Sequence, residues 1–258
     1  MKIITYSDLH LEFGTDFRPP NQGETDLMIL AGDIITFRDY EPLNQFLSDW
    51  KKPVIFVAGN HEYYTDTSMT TEAEHFKNWL KENHPNVCFL QDEAITIDGV
   101  HFFGGTMWTD FQNSSEKVMQ ETMAIMNDYR FIKMKSGIRL TPRDTIQLHD
   151  DFVQKLIAWF KADLSGKRVV ITHHAPVINP MTKYIKSPLA PAFNSTDMIP
   201  IIEQYQPDLW VYGHTHEGDE HTVGKTRIIS NQLGYPNRSG GYECDDFDAS
   251  GKLIKLDE

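Results

Sequence analysis

Lys2-Ile3-Ile4-Thr5-Tyr6-Ser7-Asp8-Leu9-His10 is an apolar, strand-like run that stops in a carboxylate and an imidazole. Four later stretches repeat the design. Leu27 to Leu30 leads into Gly32-Asp33, and Val54 to Val57 into Gly59-Asn60-His61-Glu62. Val169 to Ile171 ends in Thr172-His173-His174, and Leu209 to Tyr212 in Gly213-His214-Thr215-His216. Several of these runs are apolar on both faces, the pattern of strands buried between two layers. Five runs therefore deliver Asp, Asn and His at their C-terminal ends. In open α/β sheets that edge is where ligands bind.

Outward from these runs, strand patterns cover 2–7, 26–31, 53–58, 94–97, 100–104, 168–172, 208–212 and 226–230. Helical periodicity covers 40–51, 71–83, 115–128, 144–164 and 197–205. Phe152, Val153, Leu156, Ile157 and Phe160 recur at helical spacing. Thr141-Pro142-Arg143-Asp144 supplies a cap, an early proline and an early acid to that helix. Asp98-Gly99 between two strand patterns signals a hairpin. Alternating strands and helices predict an α/β domain. Neither a repeat nor a long linker interrupts it, so 1–258 reads as one domain.

The 258 residues are 40% hydrophobic and 24% charged, which excludes disorder as the main state. The longest apolar runs have five residues, far from the roughly 18–20 that span a bilayer. No signal-peptide core precedes the first strand pattern, and only Cys88 and Cys244 are cysteines. The expectation is a cytoplasmic protein with no membrane partner. Lys and Arg number 24 against 37 acids, a formal charge of −13, which disfavours long nucleic acids. A small anionic substrate is compatible with that charge, because bound cations reverse the local field.

Asp8 and His10 are two residues apart, as are His214 and His216, so on extended backbone each pair points to one side. Each pair can grip a cation from one direction. Asp33 follows a glycine and can bridge two cations, and Asn60 adds a carbonyl oxygen. Mixed imidazole and carboxylate donors suit Mn, Fe, Zn, Co or Ni better than Ca or Mg. Taken singly, each cluster also reads as a turn, a cap or a buried histidine. Their recurrence at the ends of five strands points to a metal site.

In order and spacing, Asp8-x-His10, Gly32-Asp33, Gly59-Asn60-His61-Glu62, Thr172-His173 and Gly213-His214-Thr215-His216 resemble the five blocks of the calcineurin-like metallophosphoesterases. Ser7-Asp8-Leu9-His10-Leu11-Glu12-Phe13 and His173-His174-Ala175-Pro176 resemble the compact bacterial and phage-type members. Asn231-Gln232-Leu233-Gly234-Tyr235 stands where such members often carry Asn-Pro-Arg-Gly-Tyr, with the Pro and Arg replaced. The resemblance implies an α/β fold, a four-layer α/β/β/α sandwich with two central mixed sheets. It implies two divalent metal ions, Mn favoured, at the C-terminal strand ends. By position, Asp8, His10 and His216 would hold the first ion, Asn60, His173 and His214 the second, and Asp33 would bridge. His173 is preferred to His174 for its place directly after the strand. His61 would protonate the leaving oxygen, and Glu62 would orient that imidazole or support a ligand. The implied activity is phosphoester hydrolysis by a water activated between the ions.

The substrate is less legible. A small nucleotide-type phosphodiester is the preferred reading, with a phosphomonoester, a nuclease substrate or a non-catalytic scaffold as alternatives. The oligomeric state stays open. Residues 105–140 read as a Met-rich surface helix or as a lid or insert. Residues 179–195, with Lys183, Tyr184 and Lys186, read as a loop at the rim of the site. Tyr63, Tyr64 and Tyr235 are candidates for stacking on a base.

Overall fold

The computed structural model describes residues 1–14, 17–134 and 137–256. One sheet joins β1 (Lys2–Tyr6), β2 (Leu27–Ala31), β3 (Val54–Val57) and β4 (Val87–Leu90), all parallel. A further strand, Lys252–Lys255, runs antiparallel beside β1, giving five strands. The other sheet holds β5 (Glu93–Ile97), β6 (Val100–Gly105), β7 (Arg168–Thr172), β8 (Leu209–Tyr212), β9 (Asp219–Val223) and β10 (Thr226–Ser230). Its order is β5-β6-β7-β8-β10-β9, parallel from β6 to β10 with antiparallel edges. The Lys252–Lys255 strand is β11.

Side-chain alternation turns these sheets into four layers. Ile3, Ile29, Ile55 and Val57 face inward and meet Phe102, Val169, Ile171 and Val211 of the second sheet. Their neighbours Ile4, Met28, Leu30 and Phe56 face outward onto Phe46 and Leu47 of the Glu41–Leu47 helix and Phe76 and Leu80 of the Met69–Asn83 helix. On the far side, Phe103, Val170, Trp210 and Ile228 pack on Phe152, Leu156 and Phe160 of the Pro142–Phe160 helix and Met198 and Ile202 of the Met198–Tyr205 helix. Each buried Leu, Ile or Phe removes enough surface to contribute roughly 1.5–3 kcal/mol. The expected four-layer sandwich with two mixed sheets is thus present.

Thr141 caps the Pro142–Phe160 helix through a reciprocal box with Asp144, and Asp98-Gly99 turns β5 into β6. Three strands escape a reading of the sequence. β4 is a four-residue apolar run at a sheet edge. β9, Asp-Glu-His-Thr-Val, is polar because one of its faces meets water. β11 buries only Ile254, and it is a strand because Ile254 pairs with Ile3. In each case pairing, not local pattern, decides.

Candidate metal centre

The C-terminal ends of β1, β2 and β3 lie side by side, as do those of β7 and β8. The inner-face packing brings the two edges together, and His173 Nδ1, just after β7, bonds the Ala31 carbonyl at the end of β2, 2.9 Å away. Asp8 and His10 are not on extended backbone, as the sequence reading has it. β1 stops at Tyr6, and Asp8, His10, Asp33, His214 and His216 all have φ between 45° and 73°. Left-handed turns re-aim the chain after β1, β2 and β8, so those donors converge by turning rather than by strand pleat. Such backbone costs about 1–3 kcal/mol per residue and clusters at functional sites. Gly32, at φ 86°, has no room for a side chain, because a Cβ would lie 2.5 Å from His173 Nδ1.

Two donor groups result. Asp8, His10 and His216 form one, and Asp33, His173 and His214 the other. His10 Nε2 and His216 Nε2 are 3.3 Å apart, and His216 Nε2 is 3.4 Å from Asp8 Oδ1. His173 Nε2 lies 3.0 Å from Asn60 Oδ1 and 3.3 Å from Asp33 Oδ1, while Asp33 Oδ2 is 3.9 Å from His10 Nε2. Asp33 therefore turns one oxygen to each group. Ligand atoms about 2.05 Å from one tetrahedral ion stand about 3.3 Å apart, so these spacings fit donors around a common cation. The electrostatics agree. Burial works to keep His173 and His216 neutral, but Asp33 raises His173 to about 9, and bonds to Asp8 and Glu243 raise His216 to about 10. The acids thus favour positive charge at this place. His214 Nε2 is buried without a hydrogen-bond partner among the described residues.

The outer partners fix which nitrogen faces inward. Glu12 accepts from His10 Nδ1 (3.2 Å) and His61 Nδ1 (3.1 Å) through one oxygen. Burial raises the Glu12 carboxyl, but those two imidazoles outweigh it and hold its pKa below the ordinary value. Glu243 binds His216 Nδ1. With both Nδ1 protons engaged, the facing Nε2 atoms of His10 and His216 present lone pairs to one point, which a cation satisfies. Asp128 accepts from the Asn60 amide (2.9 Å) and the Tyr64 hydroxyl (2.5 Å), so Asn60 turns its oxygen to the centre. A His10–Asp33–His61 group is also close enough to hold an ion. His61 has both nitrogens engaged, however, the second by the Tyr235 hydroxyl at 2.7 Å.

The calcineurin-like phosphoesterase family model matches residues 1–218 of this 258-residue chain. The chain belongs to the calcineurin-like phosphoesterase family. Its relatives include the uncharacterized protein L509 of Acanthamoeba polyphaga mimivirus, 28% identical and covered to 94% in both chains. Among solved structures, phosphopantetheinyl hydrolase from Mycobacterium tuberculosis superposes with a TM-score of 0.68 at 16% identity, covering 91% of this chain and 89% of that one. A dimetal phosphatase from Danio rerio gives 0.54 at 13% identity, covering 90% and 87%. At those identities the likeness is one of fold. Calcineurin-like phosphoesterases hydrolyse phosphoesters and typically use two metal ions, and the donor groups described above fit that chemistry.

Not every candidate of this calcineurin-like phosphoesterase lies where its sequence suggests. Glu62 does not touch the His61 imidazole. Its oxygens accept from the backbone N–H groups of Asp33, Ile34, Ile35 and Gly59, which pins the turn carrying Asp33. Burial and Asp33 push its pKa upward, while the N–H donors favour the charged form. Glu12 orients His61 instead. Tyr63 is not at the rim; it is 1% exposed in the core and donates to Gln91. His174 lies behind the centre, its Nδ1 3.2 Å from the Thr106 carbonyl and its ring against Trp108 and His214. Lys183 extends over the Tyr184 ring, and its neighbours Thr182 and Tyr184 line the cavity. Tyr235 faces both His61 and the cavity. Residues 135 and 136 of the expected lid lie outside the described residues. The rest is no detached lid, since Asp128 is buried against Asn60 and residues 125–127 form a wall of the cavity. Asp128 and Glu243 carry no spacing signal of their own, and Glu12 stands in the motif that follows Asp8 without a role legible there. Gln232 replaces the family's proline, and its buried amide holds the His216 N–H and Thr215.

Proposed function

We propose that this protein is a phosphodiesterase for small, nucleotide-type substrates, working as one 1–258 domain in the cytoplasm. Asp8, His10 and His216 would hold one divalent ion, Asn60, His173 and His214 a second, with Asp33 between the two groups. Mn is the favoured metal. The observation that carries the reading is the position of the donors. Asp33, Asn60, His214 and His216 lie at the wall of a cavity of about 410 Å³, large enough for an organic group beside the phosphate. The unpaired Cys88 and Cys244 and the acidic charge support the compartment and the small substrate. Two cations held by these residues would supply an acidified water and charge to neutralise phosphoryl oxygens.

The chain's own residues do the rest. Glu12 fixes the His61 ring, so Nε2 points at the Tyr235 hydroxyl on the cavity wall. From that position His61 passes a proton or hydrogen bond to the departing oxygen, with Tyr235 beside it. Asp128 and Glu243 keep Asn60 and His216 aimed inward. Residues 179–195 close the rim. The test is hydrolysis of bis-p-nitrophenyl phosphate against p-nitrophenyl phosphate by the Mn-loaded protein. Faster cleavage of the diester is expected. Faster cleavage of the monoester makes the protein a phosphatase, and cleavage of neither with two ions bound points to a substrate-gated enzyme or a scaffold.

A further inference from the structure

We propose that the site selects phosphoesters whose organic part is uncharged and offers an apolar face, and rejects those that carry a second anionic group on that part; this rests on the phosphoester reading above. Among the described residues, no Lys or Arg lines the cavity. At the rim, the Lys183 ammonium lies 5.0 Å from the Tyr184 ring centroid and is solvated. Gln232 and Leu233, beside the His216 loop, are buried and bring no positive charge. The lining instead carries the carboxylates of Glu217 and Glu243. A second phosphate or carboxylate on the substrate would lose water there and meet those acids, with no cationic side chain to pair with beyond the metal ions that would hold the scissile phosphate.

The apolar part of the lining is made by Ile125, Met126, Ile178, Tyr184, Leu189 and Phe193. Three of the polar side chains between them are already engaged. Asn179 bonds the Gly218 carbonyl and the Met181 N–H, Thr182 bonds Glu217, and Asn194 bonds the Ala190 carbonyl. What remains for a ligand there is mostly apolar surface, with Asn127, Ser187 and the Tyr184 phenol as its polar points. Ile125 is 60% and Tyr184 50% exposed although both reach the cavity. Outside it, the exposed Phe13 ring lies 5.8 Å from Tyr235 and the exposed Phe131 ring 5.5 Å from Tyr64. Apolar side chains left in water around a cavity mouth mark the surface that a ligand covers.

The test uses pairs that differ in one terminal group. Calorimetric titration of the Mn-loaded protein compares hexylphosphonate with 6-phosphonohexanoate, and needs no turnover. The apolar ligand is expected to bind about tenfold more tightly, because its terminal methyl packs where the carboxylate would lose water without a partner. Hydrolysis of p-nitrophenyl hexyl phosphate against p-nitrophenyl 5-carboxypentyl phosphate should show the same preference in kcat/KM. Ile125→Lys, at an exposed and tolerant position, should shrink both ratios by about tenfold, because it puts a cation on the apolar wall. Equal or tighter binding of the carboxylate, no binding of either ligand, or ratios unmoved by Ile125→Lys overturns the proposal. If neither diester is cleaved while hexylphosphonate binds preferentially, the diesterase reading fails and the selectivity stands. If both diesters are cleaved at equal rates, the selectivity fails and the diesterase reading stands.

Discussion

Asp8, His10, Asp33, His214 and His216 share positive φ, which Asp and His tolerate better than most residues, and hydrogen bonds from neighbouring segments hold the turns there. Glu62 ties the turn at Asp33, Asp8 accepts from the His214 N–H at 3.0 Å, and Gln232 accepts from the His216 N–H. At this scale the roles of single side chains can be separated. Asp33→Asn should lower the metal content measured by elemental analysis and abolish hydrolysis, since one oxygen faces each donor group. His61→Ala should keep both ions and lose roughly 10²–10⁴ in kcat on substrates with poor leaving groups. Wild-type speed there would sink its assignment as proton donor. Asp128→Ala frees the Asn60 amide to rotate. It should weaken the second ion by about 10–100-fold, read by metal titration, and leave the first in place. Asp128 also shows what a motif hides. It lies 68 residues beyond Asn60, and nothing in its own neighbourhood announces the contact.

The Pro142–Phe160 helix joins the core to an unusual stretch of backbone. Met107, Trp108 and Phe111 to Ser114 all have positive φ. Buried His149 of the helix reaches the Met107 carbonyl with Nδ1 and Asp197 with Nε2, 3.3 and 3.1 Å away. Asp110 receives the Thr196 N–H and hydroxyl, and so ties this stretch to the segment before the Met198–Tyr205 helix. Burial works against charge on His149, but Asp197 outweighs it, with Asp110 and the Met107 carbonyl helping, and raises its pKa above 6.5. The Asp197 carboxyl is lowered, burial being outweighed by the bond to His149. The sign follows from linkage. The raised histidine contributes fully below about 6.5 and loses its contribution as pH rises through its folded value. The lowered aspartate contributes above about 3.9 and loses it as pH falls through its folded value. The pair is therefore strongest between those two limits. His149→Gln should flatten the fall in Tm that the wild type shows between pH 6 and pH 8.5, measured by scanning calorimetry in matched buffers. An identical fall in both proteins would remove His149 as its source.

At the scale of the whole molecule the centre stitches two sheets together. Its donors follow β1, β2 and β3 in one sheet and β7 and β8 in the other. Chelation should therefore lower Tm, and Mn should restore it, by about 2.7 kcal/mol of stability at a hundredfold excess over Kd. Asp33→Asn should blunt the restoration, and a wild-type Tm indifferent to chelator would contradict a metal centre at this place. The strand cores, the main helices, the capping box at Thr141 and the donor types at five strand ends are legible along the chain. They are properties of periodicity and of short neighbouring residues. The left-handed aim of Asp8 and His10, the core position of Tyr63 and the backbone role of Glu62 are not legible. Neither are Glu12, Asp128 and Glu243 as partners of His10 and His61, Asn60 and His216. Local sequence determined which segments bury themselves and which residue types end them, because hydrophobic period and turn chemistry act over a few residues. Only the tertiary structure decided where each side chain points and what it meets, because those contacts form between segments far apart in sequence once the sheets pack.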